Sequence, residues 1–147
     1  MEVEWLILGD AAQVLGNKLY LLGGGWDALV VNTIPANQAV AIAASFRVPW
    51  SDTNQPYSVE IEIINEDNQN EPPLLRFGAQ VEVGRLPGIP PGSDQRTQLA
   101  VNGVLTFRSL GNYAVVVRVE SAPGKKLPFR VVRGPLFSTS LAPPAAS

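Results

Sequence analysis

Two aspartates near the start of the chain are the first candidates for chemistry. Asp10 and Asp27 flank an early predicted hairpin and could approach one another. Glycoside hydrolysis needs two acids that converge on a cleft, and this is the chemistry such a pair could perform. Both residues also stand where aspartate side chains commonly cap turns. We interpret them as turn residues and assign no catalytic residue.

A second group of acids lies in a polar segment later in the chain. Glu66, Asp67 and Glu71 are separated by Asn68, Gln69 and Asn70. Carboxylate and amide oxygens bind hard cations, but the run lacks the ligand spacing and central glycine of an EF-hand loop. A solvated hairpin loop explains the same composition. We therefore predict no metal site and no cofactor.

Three consecutive glycines, Gly23–Gly25, precede Trp26 and Asp27. The backbone N–H groups of such a run can form a nest for an anion. Neither the P-loop nor the dinucleotide fingerprint is present, however. We favour a bulge or kink that carries the chain from one sheet toward the other.

Aromatic side chains could form a platform for a sugar or a protein partner, because rings offer a large contact area at low entropic cost. The candidates are Trp5, Trp26, Trp50, Tyr20 and Tyr57. Trp5 lies in an apolar run and is predicted to be core, as is Trp26. Trp50 follows Pro49 in a polar loop and is the best candidate for an exposed binding residue.

The irregular segment 84–96, rich in glycine and proline, is the main interaction candidate. A stiff segment is partly preorganised and loses little entropy on binding. Arginines at each end could bind acidic groups or backbone carbonyls. The alternative is a long crossover between sheets, held down by its own Leu86 and Ile89. With Trp50 added, the candidate binding residues are Arg85, Ile89, Pro90, Pro91, Arg96 and Trp50.

Composition narrows the possible functions. The 147 residues include no Cys and no His, which excludes disulfides, thiolate metal sites and His-assisted nucleophiles. A formal charge of −2 provides no basic field for nucleic acid. The 46% hydrophobic content is ordinary for one globular domain. The absence of Cys fits a reducing compartment.

Alternation of apolar and polar residues predicts strands along most of the chain. The predicted strands are 3–8, 18–22, 26–33, 38–48, 57–64, 74–83 and 126–132. Residues 10–15 are predicted as a helical turn or a wide loop. The second face of 38–48 carries small residues, which indicates that another element covers it.

The clearest pattern covers Gln98–Glu120, where two alternating runs are separated by 109–111. We predict a hairpin of two long, paired strands. Leu99, Val101, Leu105 and Phe107 would be buried from the first strand, and Tyr113, Val115, Val117 and Val119 from the second. Gly111-x-Tyr113 resembles the corner at which a tyrosine hydroxyl binds nearby backbone in many immunoglobulin-like domains.

These elements predict an all-β fold of about eight or nine strands. We expect a two-sheet antiparallel sandwich with immunoglobulin-like, Greek-key connections, and a small barrel is the alternative. Residues 1–134 would form one domain and 135–147 a Pro/Ala/Ser tail. The N-terminal run lacks the basic residues and long apolar core of a secretory signal, and no window is long enough to span a membrane. We therefore expect a cytoplasmic protein.

Residues 8–12 (LGDAA) and 16–27 (GNKLYLLGGGWD), followed by Pro35, resemble the opening of a bacterial family of uncharacterised proteins. In that family an Ala-Asp-x-Ala step precedes Gly-Lys-Leu, an apolar strand and a glycine-aromatic-Asp turn. This chain departs at Gly9, where the family more often has alanine. Similar features at 88–92 and 111–113 extend the resemblance over roughly 3–132. It implies a small β-sandwich of unknown function in a bacterial cytoplasm, and no activity.

We therefore predict a non-enzymatic binding or assembly module that holds a protein partner or a copy of itself. The alternative is a sandwich that binds a carbohydrate or small ligand through Trp50 and neighbouring polar groups. An enzyme that relies on residues other than His and Cys is a third possibility, which we do not favour. Nucleic acid and membrane are not expected partners.

Overall fold

Ten strands in three sheets make up the computed structural model, which describes residues 1–120 and 122–139. The strands are β1 (Glu2–Gly9), β2 (Ala11–Leu15), β3 (Lys18–Leu22), β4 (Ala28–Ile34), β5 (Ala36–Val48), β6 (Pro56–Asn65), β7 (Leu75–Glu82), β8 (Gln95–Phe107), β9 (Gly111–Val119) and β10 (Lys125–Thr139). One sheet has the order β1-β5-β8, another β4-β10-β9-β6-β7, and β2 pairs with β3. The all-β prediction is confirmed. The expected eight or nine strands in two sheets are too few.

A single cluster of buried side chains connects the two larger sheets. Alternate side chains of β9 are buried, as the period-two pattern predicts: Tyr113, Val115, Val117 and Val119. The ring of Phe107 on β8 lies edge-on to Tyr113 at 5.1 Å and to Phe129 of β10 at 6.2 Å between centroids. Because Phe107 belongs to one sheet and its two partners to the other, these rings join the sheets.

The predicted hairpin of β8 with β9 is wrong. β8 pairs with β5 from Gln95 to Phe107, whereas β9 pairs with β6 and β10. The chain therefore crosses from one sheet to the other between Phe107 and Gly111. Each strand has one apolar face, which must be buried in the core. Two strands can bury these faces against each other from opposite sheets as well as side by side in one sheet, so alternation alone does not show that they pair.

The five-stranded sheet is mixed, which corrects the expectation of purely antiparallel pairing. β10 runs parallel to β4, with Arg130 opposite Ala28 and Arg133 opposite Val31. β10 begins at Lys125 and ends at Thr139, so it extends past the predicted end at 132 and into the predicted tail. Residues 140–147 of that tail lie outside the described residues.

Residues 11–15 form a strand, which corrects the prediction of a helical turn or loop. β2 and β3 join through Gly16 and Asn17, whose φ angles of 55° and 61° are those of a type I′ hairpin turn. This hairpin packs against β5 and β8. The small side chains of Ala41 and Ala43 on β5 are fully buried, which confirms that their face is covered.

Candidate functional site

Arg85 and Trp50, two predicted binding residues, contact each other. The guanidinium carbon of Arg85 lies 3.9 Å from the ring centroid of Trp50, a cation–π arrangement. The same guanidinium donates to Thr53 Oγ1 at 2.8 Å and to the Trp50 carbonyl at 3.3 Å. One face of the Trp50 ring is therefore covered by a side chain of this protein.

The proline-rich loop is built from two consecutive turns. Ile89 N donates to Leu86 O at 3.4 Å, and Ser93 N donates to Pro90 O at 3.2 Å. In each turn a proline holds the second position and a glycine of positive φ the third, Gly88 at 87° and Gly92 at 82°. This is the residue pattern of a type II turn. Within the loop, Pro90 and Pro91 are exposed and Ile89 is half-buried.

Gln95 closes the base of this loop. Its side-chain amide donates to Gly84 O at 2.9 Å, and its carbonyl accepts from Leu86 N at 3.3 Å. Arg96, the next residue, binds the carboxylate of Glu4 instead, with Nε to Oε2 at 3.1 Å. Arg85 and Arg96 thus have separate partners within the chain.

Asp10 and Asp27 have separate surroundings. The carboxylate of Asp10 lies against Gly23, where a Cβ atom would come within 2.1 Å of Asp10 Oδ2. Asp27 lines a small cavity with Glu66 and Arg130, and its carbonyl accepts from Arg130 N at 3.0 Å. The glycine run therefore accommodates the chain's own carboxylate, which favours its structural interpretation.

The three acids of the 66–71 segment each bind a different part of the chain. Asp67 accepts from the backbone N and the Nδ2 of Asn112 at 2.8 and 3.1 Å, while Glu71 accepts from Asn65 Nδ2 at 3.1 Å. The third acid, Glu66, is paired with Lys126. Among the described residues, no group of three acids is placed to hold a metal ion.

The aromatic candidates are dispersed. Trp26 and Tyr57 pack against the core in partly buried positions, and Trp26 lies edge-on to Phe129 at 5.9 Å. Trp5 is half-buried on β1. Tyr20 is 55% exposed on the β2–β3 hairpin. Trp50, with Arg85 above its ring, is the one of these residues that adjoins the proline-rich loop.

A groove of about 1130 Å³ lies on the outer face of the five-stranded sheet. It is lined by residues of β6, β7 and β9, together with the turn between β9 and β10. Gly78 on β7 is part of this lining and lies directly opposite Glu60 on β6, so no side chain fills the space above it. A Cβ atom added at Gly78 would meet nothing nearer than Val59 O, at 4.0 Å.

Glu60, Arg76 and Arg118 line this groove, and both arginines also bind Glu62 at its side. Glu62, 7% exposed, binds Arg118 Nη1 at 2.8 Å and Arg76 Nη2 at 3.5 Å. The neighbouring Glu60 approaches Arg76 Nε only at 4.0 Å. Glu60 and Glu62 share a face because they are two residues apart on one strand.

The two carboxyls differ in proton affinity. A hydrogen bond with Glu62 raises the pKa of Glu60 above 4.5, and burial and the charge of Glu62 add to this effect. The same hydrogen bond lowers the pKa of Glu62, assisted by Arg118 and Arg76. A pair of acids whose environments separate their pKa values is common at functional sites.

Glu60 and Glu62 alternate with apolar residues in the predicted strand 57–64 and are not among the site residues predicted from the sequence. The available signal was two acids at alternate positions of one strand, with Arg76 and Arg118 also facing outward on predicted strands. Only the strand order places β7 and β9 on the two sides of β6, so that both arginines reach Glu62.

The fold and this groove define an all-β domain whose charged concavity lies on an open sheet face. Over residues 4–132 the chain matches the protein family described as Family of unknown function (DUF6941), and it belongs to that family. The match confirms the resemblance to an uncharacterised family, while the bacterial setting stays a prediction. No curated protein matches the chain. The described part of the chain has no helix long and apolar enough to cross a membrane.

Proposed function

We propose that the protein is a non-enzymatic binding module that holds an extended segment of a protein partner in the groove of the five-stranded sheet. The observation that carries this proposal is the open space above Gly78, in a groove of about 1130 Å³ walled by charged side chains. An extended segment laid on a sheet presents alternate side chains to it, so a gap at one strand position can receive one of them.

The proposed scaffold is an immunoglobulin-like sandwich formed by the two larger sheets. The Tyr113 hydroxyl donates to the Ser109 carbonyl at 2.8 Å, four residues upstream. A tyrosine bound in this way at the start of a central strand is the corner known from immunoglobulin-like domains. The core between the sheets supports the same proposal.

The proline-rich loop is a secondary contact surface in this proposal. Its two turns and the Gln95 anchor preorganise exposed Pro90 and Pro91, so little entropy is lost on binding. The carbohydrate alternative has less support, because Arg85 covers one face of the Trp50 ring that a sugar would stack on.

The test is selection of peptides from a random display library against the wild-type protein. Gly78→Leu fills the open space without backbone strain, since Gly78 is not among the glycines with positive φ. Selected peptides should bind this variant at least about tenfold more weakly, a difference of about 1.4 kcal/mol. Ala39→Leu, on an exposed position of β5, adds similar bulk away from the groove and should leave affinity unchanged.

Equal affinity for wild type and Gly78→Leu would contradict the proposal. Light scattering tests whether a second copy of this chain occupies the groove. A wild-type dimer that becomes monomeric in Gly78→Leu, but not in Ala39→Leu, would assign the groove to self-association instead of a different partner.

A further inference from the structure

We infer that the groove binds its partner through a cationic side chain, a lysine or an arginine, which occupies the space over Gly78 and pairs with Glu60. The inference rests on the proposed function and specifies the chemistry of the bound segment. It follows from the partners of Glu60 and of the cations that line the groove.

The cations of the groove are already engaged within the chain. Arg76 and Arg118 are within 3.5 and 2.8 Å of Glu62. Lys126 pairs with Glu66, and Lys125 Nζ donates to the Glu4 carbonyl at 3.1 Å. An acidic ligand would therefore have to compete with carboxylates and carbonyls that these groups already bind.

Glu60, in contrast to these cations, has no close partner of opposite charge among the described residues. Its closest cation in the described part of the chain is Arg76, whose Nε is at 4.0 Å, beyond hydrogen-bonding distance. The neighbouring carboxyl group of Glu62 raises the pKa of Glu60, through a hydrogen bond and through its charge. Glu60 thus lacks the close cation that its neighbour Glu62 has in Arg118.

The space for a cation adjoins this carboxyl. Gly78 is the cross-strand neighbour of Glu60 on β7, and no atom lies within 4 Å of the position a Cβ would take there except Val59 O, at 4.0 Å. Cross-strand neighbours have Cβ positions about 5 Å apart, so a group above Gly78 is within reach of a glutamate side chain. An ammonium or guanidinium group placed there would give Glu60 the close cation that it lacks within the chain.

Binding of a cation should consequently depend on pH. The groups that face Glu60 are Glu62 on its own strand, Arg76 on β7 and Arg118 on β9, with Lys125, Lys126 and Glu120 at the margin of the groove. The arginines and lysines stay charged while carboxyls titrate. Affinity should therefore rise as the pH rises through the elevated pKa of Glu60.

The test uses small ions of matched size: n-butylammonium, n-butylguanidinium and butyrate. In titrations of the ¹⁵N-labelled full chain, the amide of Gly78 should shift saturably with the two cations and not with butyrate. Glu60→Gln keeps the size and hydrogen-bonding capacity of the side chain but removes its charge. It should weaken binding of the cations about tenfold or more, as expected for loss of a charge-assisted hydrogen bond.

Glu82→Gln is the matched control, because it removes the same charge from an exposed position of β7 outside the groove. It should change affinity less than twofold. Saturable shifts with butyrate of equal strength, or unchanged affinity in Glu60→Gln, would overturn the inference. Both variants retain a polar side chain on the sheet surface, so both should fold.

Peptide selection separates this inference from the proposed function. Peptides that lose affinity for Gly78→Leu and contain an essential lysine or arginine support both. Peptides that lose affinity for Gly78→Leu yet need no basic residue leave the groove as the binding site and refute the cationic anchor. Peptides that bind both proteins equally refute the groove, while the butylammonium titration still decides whether Glu60 receives a cation.

Discussion

The side-chain amide of Asn102 makes two hydrogen bonds with the backbone of Ala12. Ala12 N donates to Oδ1 at 3.0 Å, and Nδ2 donates to Ala12 O at 2.8 Å. One residue of β8 thus reproduces the pairing of a neighbouring strand and anchors the β2–β3 hairpin over the small residues of β5. This contact is part of the covering predicted for that face.

Replacing Asn102 with Leu should loosen the hairpin. Loss of two partly buried hydrogen bonds should lower the free energy of unfolding by about 1–2 kcal/mol. Hydrogen exchange should become faster at residues 11–15, which this contact holds against β8. Asn70→Leu, in an exposed loop, serves as the control and should leave exchange in the hairpin unchanged. Unchanged exchange in Asn102→Leu would show that packing alone holds the hairpin.

Tyr113→Phe should destabilise the fold while preserving the core rings. The substitution removes the hydrogen bonds of the buried hydroxyl with Ser109 O and Oγ, at 2.8 and 3.0 Å. We expect a loss of about 1–2 kcal/mol in urea unfolding. Tyr20→Phe is the same chemical change at a 55% exposed ring and should be neutral. Equal stability of the two variants would contradict a structural role for the Tyr113 corner.

Gly23→Ala should be more harmful than Gly16→Ala, although both glycines have φ near 60°. Each substitution places a side chain in the left-handed region, at a cost of about 1–2 kcal/mol. A Cβ at Gly23 would also collide with Asp10 Oδ2, whereas nothing lies within 4 Å at Gly16. The difference in melting temperature between the variants measures this collision. Adding Asp10→Ala to Gly23→Ala removes the carboxylate and should raise the melting temperature to that of Gly16→Ala.

Arg85→Lys should release Trp50 even though it keeps the charge. A lysine lacks the planar guanidinium that stacks on the ring and donates to Thr53 Oγ1 and the Trp50 carbonyl. The exposed cation–π contact alone accounts for about 0.5–1 kcal/mol. The indole N–H resonance of Trp50 should shift and broaden in NMR spectra. Arg108→Lys, at an exposed position, should leave that resonance unchanged.

Acid should weaken the link between Asp67 and the start of β9. Hydrogen bonds from the backbone and then the side chain of Asn112 lower the pKa of Asp67 below 3.8. Because the folded-state pKa is lowered, this carboxylate stabilises the fold above its ordinary pKa. The contribution is lost as the pH falls through the lowered pKa. Stability curves of wild type and Asp67→Asn should converge in acid; parallel curves down to the lowest pH would contradict this.

Local patterns predicted much of the fold, because they depend on neighbours in sequence. Alternation along β9 identified its buried face, and the Gly111-x-Tyr113 step predicted the hydroxyl contact that Tyr113 makes. The Pro-Gly pairs of the 84–96 segment marked it as irregular, and it contains two turns. Of the predicted binding residues, Arg85 and Trp50 lie far apart in sequence and are in contact with each other.

The amino-acid sequence by itself determined that the chain is all-β, which faces of its strands are apolar, and that cysteine and histidine chemistry is absent. Tertiary structure decided which strands pair. β8 joins β5 instead of β9, and β6 lies between β7 and β9, which brings Arg76 and Arg118 to Glu62. Side-chain periodicity is a property of one strand. Pairing depends instead on how strands that are distant in sequence pack around a shared core. The groove around Glu60 therefore forms only when the order and register of β7, β6 and β9 are fixed.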